Sequence, residues 1–215
     1  MYSNRIAQNQ GSKTIKEHLS MKTDIILAGV GGQGILSIAA SIGTSALLKG
    51  LNLKQAEVHG MSQRGGAVQS NLRLSSTEIA SDLIPMGSCD LILSVEPMES
   101  LRYLPWLSAK GWLVTNSVPF INIPNYPEVE QVISEVVSFK NHVILDAEKL
   151  AREAGSARAM NMVMLGAASP FIEISTEAFE QGIDEIFSRK GDEIVQLNIK
   201  AYRLGREVSL AKLKV

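Results

Sequence analysis

Three stretches of this 215-residue chain hold residue types that could do chemistry: Gly29-Val30-Gly31-Gly32-Gln33-Gly34, Gly60-Met61-Ser62-Gln63-Arg64-Gly65-Gly66, and Asn161 in the apolar run 159–167. The first is a G-x-G-x-x-G pattern. Glycines so spaced let the backbone turn tightly and approach a ligand, and a helix beginning behind them offers unpaired N–H groups and the positive end of its dipole to an anion. The second sets a guanidinium beside adjacent glycines, so that Arg64 and backbone N–H groups could converge on a carboxylate or phosphate. Arg64 could equally fix the turn through a salt bridge. Ser62 and Gln63 could each bind a ligand or satisfy local backbone. Asn161 could hydrogen-bond a ligand or the glycine loop, or serve as a helix cap or a satisfied core amide.

Glu57 follows the glycine run by roughly twenty residues, where the ribose-binding acid of a dinucleotide site would stand. Neither Glu57 nor Glu96 has a neighbouring histidine that would make an acid–base pair, so no catalytic residue is assigned. Met160, Met162 and Met164 read as core or interface filling.

Composition closes off several classes of function. The lone Cys89 cannot form an intrachain disulfide or ligate an iron–sulfur cluster, and His18, His59 and His142 lack metal-ligand spacing, so no metal is assigned to the chain. A net charge of -1 without a long basic run speaks against nucleic acid. The apolar stretch from Leu36 to Leu48 is too short to span a bilayer, and the polar start has no secretory signal, so the expectation is a cytoplasmic protein that meets no membrane.

The elements that must position these residues alternate between strand-like and helix-like patterns. Strands are predicted near 24–28, 54–58, 68–74, 91–95, 112–116 and 142–146, and the glycine run joins the first strand to a helix over 35–49 that Gly50 stops. Polar and apolar residues alternate from Gln69 to Leu74 after the second glycine turn, which predicts a half-exposed antiparallel strand at a sheet edge. Ser175 and Thr176 before Glu177, with Arg189-Lys190-Gly191 at the far end, mark both ends of another helix. A last helix with Ile194, Leu197, Ala201, Leu204, Val208 and Ala211 on a narrow stripe could pack inside the molecule or on a partner. The segment beginning at Pro119 reads as an irregular loop. The sum is an α/β fold: a Rossmann-like open sheet, mostly parallel with an antiparallel edge and helices on both faces, in one domain over 22–215 behind a tail at 1–21.

With Gly29–Gly34, Ser62-Gln63-Arg64-Gly65-Gly66 and Asn161-Met162-Val163-Met164-Leu165-Gly166 in this order, the chain resembles the gamma-type domain of the 2-oxoacid:ferredoxin oxidoreductases. Within that family it is most similar to the small, separately encoded beta subunits that serve indolepyruvate oxidation. The resemblance implies oxidative decarboxylation of an arylpyruvate, with coenzyme A as acyl acceptor and ferredoxin as electron acceptor through the complex. It further implies that thiamine diphosphate, magnesium and iron–sulfur clusters sit on a large alpha subunit, and that this chain alone binds no cofactor and is inactive. Carried onto this sequence, Gly29, Gly31, Gly32, Gln33 and Gly34 form an anion-capable loop, while Ser62, Gln63, Arg64, Gly65, Gly66 and Asn161 form a second group facing the partner's site. Surface meant for that partner also makes a homodimer of the isolated chain an expectation. Two other readings stand beside this one: an independent NAD(P)-dependent reductase using the glycine run and Glu57, and a scaffold subunit whose glycine turns only pack a helix onto a sheet.

Overall fold

A strand with both faces covered must be apolar on both, and 25–28 is such a run: Ile25 and Leu27 enter one core while Ile26 and Ala28 enter another. The structure, a computed structural model, describes residues 21–59, 65–121 and 123–214. In chain order the elements are β1 (Lys22–Val30), α1 (Ile35–Leu48), β2 (Asn52–His59), β3 (Ala67–Ser75), β4 (Cys89–Ser94), α2 (Pro97–Arg102), β5 (Leu107–Asn116), α3 (Val129–Ser138), β6 (His142–Leu145), α4 (Ala147–Ala154), α5 (Met160–Ala168), α6 (Thr176–Phe187) and α7 (Asp192–Leu213), with short 3-10 turns between some of them. The strands form one sheet in the order β2-β3-β1-β4-β5-β6. β3 runs antiparallel to both its neighbours, and the pairs β1–β4, β4–β5 and β5–β6 are parallel.

The larger core lies between the sheet and α1, α4, α5, α6 and α7, and the smaller one under α2 and α3. The α/β sheet with helices on both faces is therefore as the sequence predicts, and each predicted strand overlaps an observed one. The antiparallel strand differs in place: β3 lies one position in from the edge, β2 is outside it, and most of β3 is buried. Two of its polar residues, Arg73 and Asn71, are answered by protein groups. Arg73 makes a two-pronged pair with the fully buried Asp24 of β1, at 2.7 and 3.1 Å, and the Asn71 side-chain oxygen accepts from the Ile84 N–H.

Two helix signals hold at atomic detail. Ser175 caps α6 by accepting from the Ala178 N–H, and Gly50, at φ 69°, follows the Lys49 cap of α1. The last helix packs inside the molecule. α5 and α7 cross where Gly166 faces the Tyr202 backbone and Gly205 faces the Val163 backbone, too close for any side chain at either position. Small residues at the crossing let two backbones touch. The predicted tail lies outside the described residues apart from Met21. Among the described residues no helix is long and apolar enough to cross a membrane.

Candidate functional site

β1 and β4 lie side by side and parallel, but the helices that follow them cover opposite faces of the sheet, α1 in the larger core and α2 against the smaller. Their carboxyl ends are thus the point where the winding reverses, the place where open α/β sheets leave a crevice. The glycine run leaves β1 there. Gly29 has no room for a side chain because Val95 beyond β4, Ile35 and Gln33 close around it. Gly34 caps α1 with φ 77°, a left-handed conformation that favours glycine, and a side chain there would also strike the Asn161 amide. No side chain caps α1, and its first turn holds no acidic residue, so the helix start remains suited to an anion.

Gln33 braces its own loop. Its side-chain oxygen accepts from the Val30 N–H at 2.7 Å, and its backbone N–H donates to the Val30 carbonyl at 3.1 Å. Asn161, at the start of α5, donates through its side-chain nitrogen to the Gly34 carbonyl at 3.2 Å and to Ser37 Oγ at 3.1 Å. Its Oδ1 is buried with no hydrogen-bond partner among the described residues. The second glycine turn meets the first: the Gly31 N–H donates to the Gly66 carbonyl at 2.8 Å, and the Gly65 N–H to the Gly31 carbonyl at 3.3 Å. The structure therefore brings Gly29, Gly31, Gly32, Gln33, Gly34, Gly65, Gly66 and Asn161 to one end of the sheet. Ser62, Gln63 and Arg64 lie outside the described residues.

Between the glycine loop and the end of β2 is a cleft of about 250 Å³, walled by Val30, Gly31, Gly32, Leu36, Glu57 and Val68 among others. Glu57 reaches it from β2, with β3 lying between that strand and β1. In a dinucleotide fold the acid-bearing strand sits directly beside the first one; here it is about 10 Å away by ordinary strand spacing. The Gly31 N–H, a group that could meet a diphosphate, is held by Gly66.

A cluster that sequence reasoning left unassigned lies on the other side of the β1 end. Glu96, fully buried, caps α2 by accepting from the Glu99 N–H at 2.7 Å through Oε2. Its Oε1 accepts from the Tyr126 hydroxyl at 2.5 Å and from the Phe120 N–H at 3.5 Å. Glu99 pairs with Arg102 at 2.8 and 3.0 Å. Burial pushes the Glu96 carboxyl above the usual carboxylate range, and the Glu99 charge adds to this, while the three hydrogen bonds pull the other way. The sequence signal was there: Glu96 before Pro97, with Glu99 three residues on, marks a capped helix start with proline in its first position. Cys89, the first residue of β4, is buried in the smaller core, which pushes its thiol up to about 12. Among the described residues no group of three His, Cys, Asp or Glu side chains could hold a metal ion.

Residues 24–208 match the family described as pyruvate ferredoxin/flavodoxin oxidoreductase. The chain is 34% identical over 194 residues to the indolepyruvate oxidoreductase subunit IorB of Archaeoglobus fulgidus, covering 86% of this chain and 94% of that one. It is 37% identical over 193 residues to the subunit of the same name from Pyrococcus horikoshii, covering 85% and 93%. Among solved structures it is similar to the keto/oxoacid ferredoxin oxidoreductase gamma subunit of Geobacter sulfurreducens, with 25% identity, a TM-score of 0.62, and coverage of 88% of this chain and 99% of that one.

Proposed function

The chain belongs to the pyruvate ferredoxin/flavodoxin oxidoreductase family, as a subunit of the IorB type, and from that premise we propose that it helps form the active site of an indolepyruvate or related arylpyruvate:ferredoxin oxidoreductase. The reaction cleaves the bond to the carboxyl carbon, releases carbon dioxide, joins the remaining acyl group to the sulfur of coenzyme A and passes two electrons to ferredoxin. Among the described residues no His, Cys, Asp and Glu group fits a metal ion. The chain's one thiol is sealed in the core, which does not suit an iron–sulfur cluster, and in the proposed complex thiamine diphosphate, magnesium and the clusters sit on a large alpha subunit.

What this chain supplies is the edge built by its two glycine turns. The observation that carries the reading is that Gly31 bonds to both Gly65 and Gly66 while Asn161 ties Gly34 to α5, so the turn that follows Arg64 is anchored beside an uncapped helix start. Such an edge suits an anionic group of coenzyme A or of the 2-oxoacid, held where the partner's site can reach it. The intervening β3 and the occupied Gly31 N–H support this reading over an NAD(P) reductase.

In the reconstituted complex, Arg64→Ala should raise the KM for coenzyme A or substrate, or lower turnover, by about tenfold or more, the loss expected for a charge-assisted bidentate contact. Arg64→Lys should recover only part, since lysine keeps the charge and loses the planar fork. Wild-type kinetics in Arg64→Ala would remove the ligand role. Micromolar NADH binding by the isolated chain would favour the reductase.

A further inference from the structure

We propose that the outer side of α1 and the open edge of β2 form the surface by which this chain docks on its large partner subunit. The proposal rests on the functional reading above, which requires such a partner, and adds the face that meets it.

α1 carries no charged side chain in its fourteen residues, and apolar or small residues run around the whole helix. A helix of that kind belongs under cover on every side. The larger core takes Ile35, Ile38, Ala39, Ile42 and Ala46. Ser41 and Ser45 turn to the neighbouring helices, where Ser41 Oγ donates to the Met162 sulfur of α5 at 3.8 Å and Gly182 of α6 has no room for a side chain beside Ser45. Leu36, Ala40 and Leu47 are left outside. They follow one another by four and then seven residues, which sets them on one stripe. The stripe is exposed, Leu36 at 53% and Leu47 at 62%, with Ala40 exposed between them.

β2 extends the same surface. It ends the sheet, and among the described residues its backbone pairs with β3 alone, so alternate N–H and C=O groups along its eight residues face outward. Gly43 falls on the stripe of α1 and has no side chain, and Leu53 of β2 closes on it, 3.1 Å from where a Cβ would stand. Helix stripe and strand edge are therefore one continuous flank. A partner covers such a flank by laying an apolar face on the leucines and adding a strand to the open edge.

The flank leads to the candidate site. Leu36 walls the cleft beside Gly31, Gly32 and Gly34, and Glu57 reaches the same cleft from β2. A chain seated on the flank is thereby brought to the glycine loop, where the functional reading needs the catalytic subunit. A solved chain of the 2-oxoglutarate:ferredoxin oxidoreductase from Magnetococcus marinus has this fold, with a TM-score of 0.69 and 21% identity, and the match covers 88% of this chain and 31% of that one. There the fold is one part of a longer chain. A subunit that stands alone must gain by docking what the longer chain joins covalently.

Titrating the purified large subunit with the full chain gives a Kd, and ferredoxin reduction at saturating chain gives a rate, so docking and catalysis are read apart. Leu47 lies about 16 Å along α1 from Leu36, away from the cleft. Leu47→Glu should raise the Kd at least tenfold, and Ala40→Arg in the middle of the stripe should do the same. Both side chains meet solvent in the free chain, so the urea midpoints of these variants should stay close to wild type. Val137→Glu, at an exposed apolar position of α3 over the smaller core, should leave the Kd unchanged. Wild-type Kd values in both folded stripe variants, or an equal loss in Val137→Glu, would overturn the proposal. So would a dimer of the isolated chain that Leu47→Glu splits while affinity for the large subunit is unchanged, since a second copy would then be the occupant. If the stripe variants lose affinity while the bound wild-type chain adds nothing to the rate, the surface stands and the functional reading falls; a restored rate with unaltered Kd values does the reverse.

Discussion

Each glycine of the first loop answers a different demand, and the demands can be separated by substitution. Gly32, at φ 100°, has nothing within 4 Å of a added side-chain carbon, whereas Gly34 combines φ 77° with the Asn161 amide overhead. Gly32→Ala should thus lose only the conformational cost, about 1–2 kcal/mol. Gly34→Ala should lose that and also the hydrogen bonds of Asn161, about 1 kcal/mol more. Urea denaturation of the two variants compares them directly, and equal losses would mean that Asn161 does not hold the loop. Asn161 stood out in the sequence because a lone amide in an apolar helix needs a partner, but two partners fit the pattern, a ligand or the loop. The Gln33 brace was not legible, since nothing in the residue order says that a side chain will turn back to a backbone N–H three residues earlier.

Among the elements, β3 shows where pattern reading stops. Alternation correctly predicted a strand and its antiparallel sense, but polar residues at every second position looked like a wet face. Arg73 instead meets Asp24, Asn71 finds a backbone N–H, and the strand is interior. Pairing across 49 residues is invisible to local periodicity. Asp24→Asn should cost about 3–5 kcal/mol in urea denaturation, because it leaves the Arg73 guanidinium, 12% exposed, without its carboxylate; a loss below 1 kcal/mol would show that water compensates it. The narrow stripe of α7 was legible as a packing surface, while its target was not. That was set by the glycines: Gly205→Ala would drive a methyl group into the Val163 backbone, so the helices must part, and a loss of about 1–3 kcal/mol or more is expected in the same assay.

On the scale of the whole molecule, the topology explains why one end of the sheet gathers the candidate residues. The chain winds to one face after β1 and to the other after β4, so both glycine turns, Asn161 and the Glu96 cluster meet at the carboxyl edge. The alternation of apolar segments made this fold class legible, and the three ordered motifs made the family legible. At Glu96 the helix cap was legible, but Tyr126 was not, because it joins from 30 residues away in an irregular connection. In the proposed function this edge completes a catalytic site carried by a larger subunit. The most direct measurement is ferredoxin reduction by the large subunit with indolepyruvate and coenzyme A, with and without this chain added back. Each component alone should be inactive, and mixing should restore reduction dependent on coenzyme A; full activity of the large subunit without this chain would mean that the edge takes no part in the site.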